Sequence, residues 1–139
     1  MPTASYVKIP AANEDLVEGV NAGTDQWAIA LTNTVPGSKT FVAGTTDLAT
    51  GGGYTQGGAN VSTTSSGMNG SDFVLVLADP ATWTGSGGGF TFRYALLVNK
   101  TLNIIPGYWD YGSSQAVAAG ETVVVDLDQT ATVGTFKIT

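Results

Sequence analysis

Phe90-Thr91-Phe92-Arg93-Tyr94-Ala95-Leu96-Leu97-Val98 is the stretch that decides the fold. Aromatic and branched residues fill it, and such side chains suit a pleated, half-buried strand better than a helix. Alternation sets Phe90, Phe92, Tyr94 and Leu96 on one face, read as core, and Thr91, Arg93, Ala95 and Leu97 on the other. Gly85-Ser86-Gly87-Gly88-Gly89 leads into it as a loop, and Asn99-Lys100 closes it as a turn. Downstream, Thr101–Ile105 reads as a returning strand, Pro106-Gly107 as another turn, and Tyr108-Trp109-Asp110-Tyr111 follows. Ala119-Gly120-Glu121 turns into an apolar strand over Thr122–Leu127, and Thr135–Thr139 alternates as a last strand.

Upstream the same grammar repeats. Asp72–Ala78 is continuously apolar, as in a central strand covered on both faces. Gln26–Thr32 places Trp27, Ile29 and Leu31 on one face. Ala4–Ile9 alternates and stops at Pro10, as an edge strand does. Asn13–Glu18 reads either as a short helix capped by Asn13, with acids in its first turn, or as an exposed acidic loop. Ala59–Thr64 reads as a short strand, and Ser65–Gly70 as a loop. About eight or nine strands with frequent turn signals predict an all-β fold, an antiparallel β-sandwich or jelly roll, with no helix beyond about two turns. No fixed-period repeat or linker interrupts the chain, so residues 1–139 read as a single domain with an N-terminal arm over about 1–12.

Composition narrows the chemistry. Of 139 residues, 42% are hydrophobic and 12% charged, a balance that builds a core rather than a disordered tail. The chain contains no histidine and no cysteine, which removes the imidazole, the thiolate and the usual zinc ligand sets. Net charge is −6, and the five basic residues, Lys8, Lys39, Arg93, Lys100 and Lys137, are scattered. Nucleic acid and anionic membrane surfaces both need clustered cations, so neither is an expected partner. No run approaches the ~18 apolar residues of a membrane span, and Met1–Ala4 has neither the basic nor the apolar part of a signal peptide.

Several motifs imitate enzyme signatures. Val123-Val124-Val125-Asp126-Leu127-Asp128-Gln129-Thr130 matches the apolar strand and D-x-D-x-T of haloacid-dehalogenase-type phosphatases, whose first aspartate attacks phosphorus. That motif belongs at the first strand of a parallel α/β domain, and here only nine residues follow it. It reads as a terminal strand running into a turn. Gly51-Gly52-Gly53 and Gly87-Gly88-Gly89 lack the lysine and helix of phosphate loops, and read as β-loops whose backbone can approach another chain. Asp110, Glu121, Asp126 and Asp128 show no spacing that selects a glycosidase pair. Glu14-Asp15-Glu18 lacks calcium-loop spacing. Trp27, Trp83, Tyr108, Trp109 and Tyr111 read as core and subunit interface rather than as a sugar platform, because large aromatics dominate both. No catalytic residue, cofactor or metal site is expected.

Three blocks in one order carry a resemblance: Asp47-Leu48-Ala49-Thr50-Gly51-Gly52-Gly53-Tyr54-Thr55-Gln56-Gly57-Gly58, then Thr91–Leu97, then Ile105-Pro106-Gly107-Tyr108-Trp109-Asp110-Tyr111-Gly112. Over roughly residues 41–139 the chain resembles small structural proteins of tailed bacteriophages. Those carry a "DLATGxGY…GG" loop, an "ARYAVLY" strand and a "GYxDFG" turn. Phe92 stands for the usual alanine, Leu97-Val98-Asn99-Lys100 for the strand end, and Tyr111 for phenylalanine. The resemblance implies a non-enzymatic virion protein on the phage head surface. Small acidic β-proteins of this kind decorate or cement capsids, commonly as trimers, with the major capsid protein as partner. A tail or fibre component contacting a host receptor or glycan is the alternative. The expected partner interface comprises Tyr6, Val7 and Ile9 in the N-terminal segment, Leu48, Gly52 and Tyr54 in the glycine-rich loop, and Trp109. The segment is expected to add to a neighbour as an edge strand, and the loop to lie close against another backbone.

Overall fold

The computed structural model describes residues 3–139; Met1 and Pro2, the start of the expected N-terminal arm, lie outside the described residues. Strand accounts for 43% of the described residues and helix for 7%, and antiparallel sheets pack as a β-sandwich. In chain order the elements are β1 (Tyr6–Lys8), a 3-10 turn (Pro10–Ala12), α1 (Asn13–Glu18), β2 (Trp27–Thr32), β3 (Ala59–Val61), β4 (Thr63–Asn69) and β5 (Asp72–Leu77). They continue through β6 (Trp83–Thr84), β7 (Phe90–Asn99), β8 (Ile104–Val117), β9 (Thr122–Val123) and β10 (Phe136–Ile138).

The main sheet has the order β1-β8-β7-β2-β3, and the opposing sheet β10-β5-β4. A short β6–β9 ladder forms the third pairing. Between the sheets, Trp27, Ile29 and Leu31 of β2 meet Leu75 and Leu77 of β5 and Phe136 of β10 in one buried cluster. The main sheet is covered on its other face as well. Ala28, Ala30, Leu96 and Val98 lie there beneath Ile9, Phe41 and Ile105. Burial on both faces explains why β2 is apolar at five of its six positions and why every residue in it is inaccessible.

The decisive strand is β7, but its faces are not those that strict alternation predicts. Between the pairs Phe92–Gln115 and Tyr94–Asp110 the register shifts, and Arg93 alone stands against residues 111–114 of β8. An irregularity of this kind reverses the faces beyond it. Phe92 therefore shares the inner cluster with Ala95 and Leu97. Leu96 lies on the outer face, and Tyr94, paired with Thr32, lies there too. The alternating set of Phe90, Phe92, Tyr94 and Leu96 is thus split between two cores.

Other boundaries move for identifiable reasons. Pro106-Gly107 is not a turn but part of β8. A second register shift, between the Leu97–Gly107 and Asn99–Ile104 pairs, falls beside Pro106, so its missing N–H interrupts no regular ladder. The turn comes earlier, at Asn103, which adopts a left-handed φ of 54°. The Ser65–Gly70 segment is not a loop: β4 runs to Asn69 and turns into β5 through Gly70, at φ 63°. Its serines and threonines belong to an edge strand with little to bury. Only Thr122–Val123 of the expected Thr122–Leu127 strand is paired, although Val125 and Leu127 still reach the core. Asn13 does not cap α1; Ala12 holds the N-cap position, and the helix grows directly out of the preceding 3-10 turn.

Candidate functional site

The seven residues expected at an interface fall into two groups, and each does work inside the chain. Tyr6 and Trp109 are cross-strand partners on β1 and β8, with ring centroids 5.3 Å apart. A side chain at Gly107 would collide with the Tyr6 ring, so glycine there is what lets the ring lie flat on the strand. Burial raises the Tyr6 phenol above its ordinary pKa. Ile9 is buried in the outer cluster, and its N–H donates to the Pro106 carbonyl at 2.9 Å. The N-terminal segment is thus an edge strand of its own sheet, paired with β8 on one side. Val7 stays exposed, at 39%.

The glycine-rich loop closes in the same way on its own molecule. Tyr54 is 1% exposed, and therefore offers no surface to another chain. Its hydroxyl donates to Asp47 Oδ2 at 2.6 Å and accepts the Leu31 N–H at 3.0 Å. Asp47, also buried, accepts further N–H groups from Gly44 at 2.6 Å and Gly57 at 2.7 Å. Burial first, and then the bond to Asp47, hold the Tyr54 phenol well above its usual pKa. Gly52, at φ 64°, sits where a Cβ would strike the Gly89 carbonyl, and its own carbonyl accepts the Ser86 N–H at 3.0 Å. The two glycine runs therefore approach one another within the chain. Leu48 is half-buried and packs on the inner cluster.

Trp109 leads to a feature the sequence hides. A cleft of about 540 Å³ lies between β8 and the segment after β9, lined by Trp109, Tyr111, Asp126 and Asp128 among others. Tyr111 is held in place edge-on against Phe92, with ring centroids 5.7 Å apart. Burial, and then the negative charge of Asp126, raise the Tyr111 phenol above its ordinary pKa. Asp128 is lowered by the Thr130 hydroxyl and N–H, both of which donate to its Oδ1, at 2.7 and 2.9 Å. The D-x-D-x-T segment is thus an extended strip ending in a side-chain-stabilised turn, with Leu127 N–H tied to Asp79 Oδ1 at 2.8 Å. Trp27 and Trp83 belong to the buried cluster, so they form no sugar platform.

The remaining charged groups are local fasteners. Arg93, set in the β7 irregularity, grips Asp110 through Nε at 2.8 Å and Nη2 at 3.1 Å. That contact, and then the Gly112 N–H, lower the Asp110 pKa, while the Arg93 pKa rises. Lys39 pairs with Asp15 on α1, and Lys137 with Asp72 at 3.6 Å. Among the described residues no group of three acidic side chains gathers where it can hold a metal ion. Among them, no helix is long and apolar enough to cross a membrane.

Among the described residues, β1 and β3 end the main sheet, and β10 and β4 end the smaller one. β4 carries no charged residue, and six of its seven positions are exposed, Met68 among them. Such an edge is a template for a further strand. Its Ser/Thr-rich sequence conceals it, because nothing in the apolar pattern marks a strand that buries so little. No family model, no curated protein and no solved structure matches this chain.

Proposed function

We propose that this chain is a non-enzymatic virion structural protein of a tailed phage, a decoration protein that cements the head surface. In this reading it engages the major capsid protein as a homotrimer. The ordered blocks at Asp47–Gly58, Thr91–Leu97 and Ile105–Gly112 supply the resemblance on which the reading rests. The structural observation that supports it is the exposed, uncharged β4 edge, on a sandwich whose loops are spent on holding itself together. A cement protein needs a stable body and a backbone edge that a neighbour can extend. Three such edges in one trimer would multiply a weak single contact through effective concentration.

The test is sedimentation of purified protein with phage heads that lack it. Saturable co-sedimentation is expected, with hundreds of copies per head. Met68→Lys, at a position of β4 that is 68% exposed, should lower head occupancy by about tenfold or more. Protein that stays in the supernatant, or that binds tails or host cells instead, overturns the decoration reading in favour of a tail or fibre component.

A further inference from the structure

The cleft beside β8 joins two surfaces of complementary chemistry. Trp109 and Tyr111 stand two residues apart on β8 and form an aromatic wall. Facing them is the strip Val124–Asp128, in which Val125 and Leu127 are buried while Asp126 and Asp128 are exposed. Among the described residues no lysine or arginine lines the cleft, and the three ion pairs lie elsewhere, at Lys39, Arg93 and Lys137. Asp128 spends one oxygen on Thr130 and keeps the other free of that turn. Asp126 and Asp128 line the same cleft as the two aromatic rings.

We propose that this cleft binds an arginine side chain presented by a partner protein, its guanidinium stacked on Trp109 and ion-paired with Asp126. A planar cation satisfies both walls at once: it stacks on aromatic faces and presents paired N–H donors to a carboxylate. A neutral saccharide can stack on the rings, but it leaves the carboxylates partly desolvated with no counter-charge. A net charge of −6 favours the approach of a cation over that of an anion. At about 540 Å³ the space admits the side chain together with its flanking backbone. The inference is independent of the capsid reading, since any partner with an exposed arginine would serve.

The chain supplies its own reporter. Trp27 is fully buried and Trp83 is 7% exposed, so Trp109 is the half-exposed indole of the three. The probe is the capped peptide acetyl-Gly-Arg-Gly-amide, titrated into the purified protein while tryptophan fluorescence is followed. A saturable change is expected. It should weaken at least tenfold with the citrulline analogue, which keeps the shape and loses the charge, and about tenfold with Asp126→Asn. It should also weaken as salt rises from about 0.05 M to about 0.5 M. Glu14→Gln, on the exposed side of α1, removes the same charge at a distance and should change nothing. In Trp109→Phe the optical signal should vanish, and calorimetry should show weakened binding. The citrulline and salt comparisons use the unaltered protein, so they hold even where a variant is perturbed. Equal binding of the citrulline peptide, Asp126→Asn binding as tightly as the parent, or a response to methyl glucoside with none to the arginine peptide each overturns the proposal. Failure here leaves head sedimentation untouched, and loss of head binding with retained peptide binding points to the capsid reading alone.

Discussion

At the scale of single residues, the most consequential group is the Tyr54 hydroxyl. It bridges a buried carboxylate and a buried strand N–H. Tyr54→Phe keeps the ring's stacking against Trp83 and strands the Leu31 donor. A loss of about 1–3 kcal/mol is expected, read as a lower urea midpoint with an unchanged slope. Asp47→Asn should cost a similar amount or more, because the amide turns an N–H₂ toward groups that are themselves donors. The double variant should lose less than the sum, since both changes break one network. Asp110 makes a different prediction. Its folded pKa is depressed, chiefly by Arg93, so its stabilisation is present above the unfolded value and disappears as pH falls through the folded one. Asp110→Asn should therefore narrow the gap to the parent as pH drops from about 5 to about 2, and keep it constant above that range. Denaturation midpoints across that range measure it. Spacing announces neither pairing: the eight residues from Asp47 to Tyr54 look like a flexible glycine loop until Gly52 is seen wedged against Gly89.

At the scale of elements, β7 and its neighbours carry the fold. Phe92 is fully buried and touches both Phe90 and Tyr111. Phe92→Ala should cost roughly 3–5 kcal/mol, as large-to-small changes in packed sites do. It should also loosen Tyr111 and with it the aromatic wall of the cleft. An unchanged denaturation midpoint would contradict that packing. The strands that read clearly in the sequence, at Trp27–Thr32, Asp72–Leu77 and Phe90–Asn99, are those whose side chains fill the core. β4 is unreadable because Thr63–Asn69 has no apolar pattern, and Pro106-Gly107 misleads because both residues usually punctuate. The face reversal at Arg93 follows from the register of a partner strand, which a local window cannot see. Trp109 and Asp126 lie 17 positions apart in the sequence and line one cleft only through tertiary packing.

On the scale of the whole molecule, an all-β sandwich is legible from alternation and turns, whereas the arrangement of its edges is not. The β4 edge offers a neighbouring strand backbone groups rather than charge. Self-association or capsid binding through that edge should respond to single charged substitutions on Thr63–Asn69 far more than to changes at the buried Tyr54 or at Gly52. The pairing of β1 with β8 and of β5 with β10 has one more consequence, in time rather than in space. Tyr6 waits for Trp109, and Phe73 waits for Ile138. A growing chain that has emerged only as far as residue 100 can make the β4–β5 hairpin and the β2–β7 ladder, but it can seal neither sheet. With so many contacts distant in sequence, refolding in stopped flow should take milliseconds to seconds rather than microseconds. During synthesis one edge of the apolar strand β5 stays unpaired until residues 136–138 arrive.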